Sequence, residues 1–262
     1  MQKLPLSLVI ITLNEEKNIE RCIKSVPFAS EVVVVDSQSR DRTSALAQKA
    51  CSELGIALNF KDQSWLGFGP QKQAATELAK FDWVLNLDAD EALSPELVSE
   101  IQQRFSSLKP DTAHLLPRKS FHMGRWILHG GWYPDRQLRL YNKKHFGWSQ
   151  DTIHEKVIAK NSSGAVDASF RSPLLHYVFR DLHHQIETNN RYSGLQAQAY
   201  LASGKKFSFL KLLVKPWSKF FECYIIKLGF LDGFPGFIIA VGAAYSVFLR
   251  WSKIWEQERL SS

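Results

Sequence analysis

Apolar and polar residues alternate in blocks along the first part of the chain. LSLVIITL is a continuous apolar, β-branched run, which predicts a strand buried on both faces. EEKNIERCIKSV follows, with Ile19, Cys22, Ile23 and Val26 at helical spacing. EVVVVD then predicts a second strand, and DRTSALAQKACSELG a helix with Asp41 as its cap and Gly55 as its stop. IALNF predicts a third strand. PQKQAATELAKF predicts a helix with Pro70 in its first turn. WVLNLD is a fourth strand, and SPELVSEIQQRF a helix capped by Ser94 with Pro95 at its first position. This alternation predicts a parallel α/β sheet, which binds ligands at the carboxyl ends of its strands.

Beyond residue 110 the regular helices stop. TAHLLPRKSF, RQLRLYN, IHEKVIA and LLHYVF predict strands joined by loops. From residue 181 the chain turns helical, first with the polar DLHHQIETNNRYSGLQAQAYLASG. The last part mixes lysines with large aromatics. Lys211, Lys215 and Lys219 are spaced by four, Leu212, Leu213, Trp217 and Phe220 lie between them, and Pro216 is expected to interrupt the helix. This pattern suits an amphipathic segment at an anionic membrane surface, and a helix packed on the domain with a solvated lysine face accounts for it as well. Gly233 to Leu249 carries no charge over 17 residues, the lower limit for a span. A re-entrant or interfacial helix pair is expected there.

The totals narrow this picture. The chain of 262 residues is 45% hydrophobic and 23% charged, the balance of an ordinary globular protein. The net charge of +7 lies among apolar residues near the C-terminus and not along a stacking groove, so no nucleic-acid partner is expected. Cys22, Cys51 and Cys223 are far apart and form no CxxC pair, which argues against a disulfide framework and a zinc site. The N-terminal apolar run ends in acids and lacks a small-residue cleavage site, and is read as a strand and not a signal peptide.

The candidate chemistry sits at strand ends. In LDADE the side chains of Asp88 and Asp90 point the same way, and two convergent carboxylates make sense around a divalent cation. Their repulsion predicts a site that is incomplete until a metal arrives. Glu91 is expected to point elsewhere, toward the next helix's N-terminal end. Asn14, Glu15 and Asp36 follow the first and second strands, on the same side of the sheet. No GxGxxG or Walker loop follows the first strand, so a nucleotide has to be held by side chains. Asp41 and Ser39 are read as turn and cap residues. His176, in an apolar strand, is read as a hydrogen-bonded core histidine.

VIITLNEEKNIERCIKSV, VVVVDSQSRDRT and VLNLDADE resemble, in order and spacing, the three nucleotide-binding motifs of family 2 glycosyltransferases. DRQLRLYN, HFGW, IHEKV and LLHYVFRDLHHQI are similar to the branch that acts in bacterial lipopolysaccharide core biosynthesis. The resemblance implies the glycosyltransferase A fold, Rossmann-like with a mostly parallel sheet, which the C-terminal pattern above extends with a helical, membrane-associating region. It assigns residues 1–110 to nucleotide-sugar binding and 111–180 to acceptor-side strands and loops of the same domain, and the basic, aromatic composition of 181–262 assigns that helical region to membrane-surface attachment.

It also implies roles. Thr12, Asn14, Glu15 and Asp36 hold the base and ribose, and Lys72 lies near the nucleotide. Asp88 and Asp90 form the metal motif for Mg²⁺ or Mn²⁺, with Asp90 the direct ligand and His154 a metal or diphosphate contact. Arg139 matches phosphate geometry, and a sheet-edge salt bridge accounts for it equally. The reaction implied is inverting transfer from a nucleotide-diphospho-sugar to a hydroxyl of a glycolipid or lipopolysaccharide-core acceptor, at the inner face of the cytoplasmic membrane. Many members carry a Glu-Asp pair as the base region, and this chain has none. Glu155 is therefore the candidate base, with Asp135 and Asp151 as alternatives. Transfer to a polyprenyl phosphate and a non-catalytic, membrane-docked scaffold are the competing readings.

Overall fold

The structure, a computed structural model, describes residues 2–149, 155–162 and 164–260. The chain forms two compact units. The first comprises Met1–Arg118 and Arg136–His176, the second Lys119–Asp135 and Tyr177–Ser262. The segment Lys119–Asp135 thus belongs with the C-terminal helices, a division that chain order alone does not suggest.

The first unit is built on a sheet whose parallel half comes from β1 (Leu4–Thr12), β2 (Ala29–Asp36), β3 (Ala57–Asp62) and β4 (Trp83–Asp88), in the order β3-β2-β1-β4. Alternate residues of these strands enter separate cores. Leu6, Leu8, Ile10, Val32, Val34, Leu85 and Leu87 pack with α1 (Ile19–Lys24), α2 (Thr43–Leu54) and α4 (Pro95–Arg104). Val9, Ile11, Val33, Val35 and Val84 face the other way, with Ala75 of α3 (Phe68–Leu78). Burial on both faces is why these strands read as unbroken apolar runs.

Past β4 the sheet becomes mixed. After β5 (Glu91–Leu93) come β6 (Thr112–His122), β7 (Arg125–Ile127), β8 (Asp135–Asn142), β9 (Phe146–Trp148), β10 (Val157–Ala159), β11 (Ala165–Asp167) and β12 (Leu174–His176). The order continues β4-β8-β6-β12-β5. β8 runs antiparallel to β4, and β12 antiparallel to β5 with His176 opposite Glu91. β9 and β10 form a separate two-stranded ribbon.

Local signals explain the helix ends. Ser94 accepts a hydrogen bond from the Leu97 N–H, with Pro95 just inside, and Gly55 closes α2 in the left-handed conformation (φ 61°). Asp41 acts one residue outside the expected place: α2 starts at Thr43, whose N–H donates to Asp41 Oδ1 at 3.0 Å.

In the second unit α5 (Leu182–Ala202), α6 (Phe209–Phe221) and α7 (Gly233–Leu260) follow one another. Pro216 lies inside α6 without ending it, contrary to expectation. A proline removes one ladder hydrogen bond, and the rest of the helix carries through. A π-helical turn (Glu222–Ile226) and a 3₁₀ turn (Gly229–Asp232) join α6 to α7. Gly233 to Leu249 forms the first part of the long helix α7. Gly229–Leu260 is long and apolar enough to cross a membrane by length and composition. The carboxylate of Asp232 is buried and accepts from the N–H groups of Leu128 and His129, at 3.1 and 2.7 Å.

Candidate active site

The register levels the strand ends. Thr12 lies opposite Asp36, and Ile11 opposite Asp88, so the residues that close β1, β2 and β4 sit side by side on one sheet rim. Thr12 is buried, and its hydroxyl has no hydrogen-bond partner among the described residues. A buried hydroxyl without a partner costs free energy unless something arrives to bond it.

Around Thr12 the loops are fixed by side chain to backbone bonds. Asn14 stands in the left-handed region (φ 55°). Its N–H donates to Ser39 Oγ at 2.7 Å, and its side-chain carbonyl accepts from the Arg40 N–H at 2.9 Å. The Asp36 carboxylate accepts from the N–H and hydroxyl of Ser39, at 2.7 and 2.6 Å. The Glu15 N–H donates to Thr43 Oγ1 at 2.8 Å, and its carboxylate accepts from Asn18 Nδ2 at 2.7 Å. Asp41 joins this lattice by accepting from the Glu16 and Thr43 N–H groups. Ser39 and Asp41 thus do turn and cap work, and what they hold still is the loop bearing Asn14 and Glu15.

Asp88 ends β4 on the face that carries Val84 and looks toward α3. There Lys72 Nζ, on a 95% buried side chain, lies 3.0 Å from Asp88 Oδ1 and 3.3 Å from Glu155 Oε1, over the Trp148 ring at 4.7 Å. Lys72 therefore bridges Asp88 and Glu155. Arg139, from the neighbouring β8, pairs with the second oxygen of Asp88 and with Glu91 at 2.7 Å. β8 lies between β4 and β6, so the pair is interior and not at a sheet edge.

Glu91 corrects its expected role. It does not turn toward the next helix. It is fully buried, accepts from the Asp88 N–H at 3.1 Å, and meets both Arg139 and Arg118. Asp90 lies 3.4 Å from His176 Nε2. Asp88 and Glu91 thus each have cationic partners within the protein, and Asp90 has the imidazole of His176 beside it. His176 is the residue that sequence reasoning placed in the core. Its apolar strand gave no other signal, because only the β12–β5 pairing brings it to Asp90.

Burial raises the Asp88 carboxyl, but Arg139 and then Lys72 outweigh it and hold the group well below the ordinary carboxylate range. The sign of the linkage follows. A carboxyl depressed on folding stabilises fully above its unfolded value, about 3.9, and that contribution fades as pH falls toward the folded value. The melting-temperature gap between wild type and Asp88→Asn should therefore be constant at neutral pH and shrink below about pH 4. A gap unchanged down to pH 2.5 would contradict the pairing.

Asp135 opens β8, four residues before Arg139. His154 and Asp151 lie outside the described residues. Among the described residues no group of three or more His, Cys, Asp or Glu side chains surrounds a common point. The donor set still fits a hard divalent cation. Asp90 and His176 offer two donors, and diphosphate oxygens and water suit the remaining places, the way Mg²⁺ is commonly held. All three cysteines are free and buried.

The family profile described as Glycosyl transferase family 2 matches residues 7–160. The chain is 32% identical to the lipopolysaccharide core biosynthesis glycosyltransferase LpsC of Rhizobium meliloti (strain 1021), over 99% of this chain and 95% of that protein. It is 34% identical to a protein of Rickettsia bellii (strain RML369-C) described as an uncharacterized glycosyltransferase, over 96% of this chain and 86% of the other. Among solved structures, the mannosyltransferase PcManGT from Pyrobaculum calidifontis, in complex with GDP-Man and Mn²⁺, superposes with a TM-score of 0.56 at 14% identity, covering 98% of this chain and 89% of that one. The shared architecture is the glycosyltransferase A fold.

Proposed function

The chain belongs to glycosyl transferase family 2, and from that premise we propose that it is a metal-assisted, inverting transferase that moves a sugar from a nucleotide-diphospho-sugar to a hydroxyl of a lipid-linked glycan. The observation that carries this reading is the sheet rim on which Thr12 stands level with Asp36 and the adjacent Ile11 level with Asp88, with Lys72 and Glu155 grouped beside Asp88.

Each residue has a part in the proposal. Thr12, Asn14, Glu15 and Asp36 receive the base and ribose, since carboxylates and amides match their N–H and hydroxyl groups. Lys72 faces the diphosphate, and Asp90 and His176 would hold a cation for it. The cation, when bound, offsets the charge that builds on the leaving group. The acceptor oxygen bonds to the anomeric carbon as the bond to the diphosphate oxygen breaks on the opposite face, and the acceptor proton passes to Glu155. Asp135 is the alternative base. Arg139 is assigned to holding Asp88 and Glu91, since two carboxylates already occupy its guanidinium.

The similarity to LpsC supports a lipopolysaccharide-core acceptor and, with it, a reaction at the inner face of the cytoplasmic membrane. The test is transfer of labelled sugar from a panel of nucleotide sugars, with Mg²⁺ or Mn²⁺, into core-bearing lipid. A label stable to mild acid is expected. A mild-acid-labile lipid phosphosugar would mean a polyprenyl-phosphate acceptor. No turnover and no metal-dependent binding of nucleoside diphosphate would mean a non-catalytic scaffold.

Thr12→Val separates a binding role from a structural one. Removing a hydroxyl with no partner in the protein should leave the melting temperature unchanged or slightly raised. If that hydroxyl meets the nucleotide, the dissociation constant for the nucleoside diphosphate rises about 2- to 12-fold, the range for one neutral hydrogen bond. Equal binding by both proteins, measured calorimetrically, would remove Thr12 from the site.

A further inference from the structure

The second unit leaves a large apolar surface uncovered. α6 buries none of its residues. Leu210 and Trp217 are 70% and 69% exposed, and Phe209, Leu213, Val214 and Phe221 are also exposed. On a helical wheel these six share one side, and Lys211, Lys215 and Lys219 share the other. The turns after α6 continue the surface with Ile226 (74% exposed), and α7 opens with Phe234 (73% exposed). From Phe234 the exposed positions run through Phe237, Val241, Tyr245 and Phe248, at steps of three and four that keep them on one side of α7.

Contacts between the helices make α6 and α7 an antiparallel hairpin. Phe220 near the end of α6 stacks edge-on against Phe237 near the start of α7, at 5.9 Å between centroids. At the other end Lys211 lies over Trp251 at 5.4 Å.

We propose that this hairpin is an in-plane anchor that seats the protein in one leaflet of an anionic phospholipid bilayer without crossing it. Charge selects the occupant. Between Lys205 and Lys227 the chain carries six lysines against the single acid Glu222. A second copy of the chain would bring two such stripes together, whereas an anionic headgroup layer complements them. An apolar side bordered by lysines that reach to the headgroups is the arrangement of a helix lying in the interface.

The rest of α7 excludes a crossing. Its buried side packs on the polar helix α5 over much of its length. Asn189 Nδ2 donates to the Gly242 carbonyl at 3.5 Å, Arg250 donates to Gln196 Oε1 at 3.1 Å, and Lys253 donates to the Asn190 carbonyl and Ser193 Oγ at 2.6 and 2.9 Å. A spanning α7 would drag α5, with Glu187, Asn190 and Arg191, into hydrocarbon, where such groups are expensive. The uncharged stretch from Gly233 to Leu249 is also only about 25 Å long at 1.5 Å per residue, against a core of about 30 Å.

The inference rests on the proposed acceptor only for which membrane is meant, and its test is independent of turnover. The full chain is floated with phosphatidylglycerol–phosphatidylethanolamine vesicles and with phosphatidylcholine vesicles. At least about tenfold stronger flotation with the anionic vesicles is expected, falling about fivefold for each of Lys211→Gln and Lys215→Gln, a factor equal to roughly 1 kcal/mol per lysine. Leu213→Glu with Trp217→Glu should abolish flotation while melting and soluble-donor turnover stay as in wild type. Brominated lipids should quench Trp217, assigned by difference from Trp217→Phe, more strongly with bromine near the headgroup than at the chain ends.

Absence of flotation, equal flotation with neutral vesicles, or strongest quenching at the chain ends would overturn the proposal. So would a stable dimer in sedimentation that Leu213→Glu with Trp217→Glu dissociates. If that double variant does not fold, the lysine variants and the quenching depth decide. A chain that floats but turns over no donor would retain the anchor and lose the transferase reading.

Discussion

Asp90→Ala is expected to lower turnover of the nucleotide sugar about 1,000-fold while leaving the protein folded. The factor corresponds to about 4 kcal/mol of transition-state stabilisation, within what a lost cation at a leaving diphosphate costs. The fold should survive because Asp90 keeps 28% of its side chain exposed and touches His176 across 3.4 Å, so its removal strands no buried charge. His176→Ala serves as the companion. If both residues hold the cation, either change raises the Mg²⁺ or Mn²⁺ concentration needed for half-maximal rate, and the two losses do not add, since residues acting as a unit are non-additive. Calorimetry of metal-dependent nucleoside diphosphate binding checks the same point without turnover. Normal turnover by Asp90→Ala would remove Asp90 and the cation from the mechanism.

How far such a site can be read before the fold is known depends on how local its parts are. The ends of β1, β2 and β4 were legible because each is a buried run broken by a polar residue, and parallel neighbours linked through helices must present the same end. Ser39 and Asp41 were legible too, because turn and cap chemistry acts over a few residues. Glu91's partners were not, nor was the partner of His176, which is the buried, paired histidine expected. Glu91 is fixed by Arg139 and Arg118, and His176 by Asp90, and these meetings depend on where β8, β6 and β12 enter the sheet. Hydrophobic periodicity tells which residues of a strand face inward, and is silent on which strand lies beside it. Pro216 was misread for a related reason. Its cost to the ladder is local, but what keeps α6 together is its packing along α7.

Arg139 carries the largest expected effect on stability, because two carboxylates lean on it. Its guanidinium is 97% buried between Asp88 and a fully buried Glu91. The two carboxylates hold it charged, above even the ordinary arginine value, although burial alone pushes the other way. Arg139→Met removes the positive charge and leaves Glu91 with Arg118 as its remaining cation and Asp88 with Lys72. Breaking a buried pair from one side costs about 3–5 kcal/mol, which in a chain of this size lowers the melting temperature by roughly 10 °C. Glu91→Gln added to Arg139→Met should recover part of that loss, since it removes a buried charge that then has only Arg118 beside it and leaves a carbonyl to accept from the Asp88 N–H. The recovery distinguishes an electrostatic role from a packing role: if Arg139 merely fills space, the double variant melts no higher than the single one. Turnover should fall in both variants, as Asp88 loses the partner that fixes it at the rim beside Thr12 and Asp36. Only stability should return with the second change, and a thermal melt paired with a donor-turnover assay on the same samples reads both.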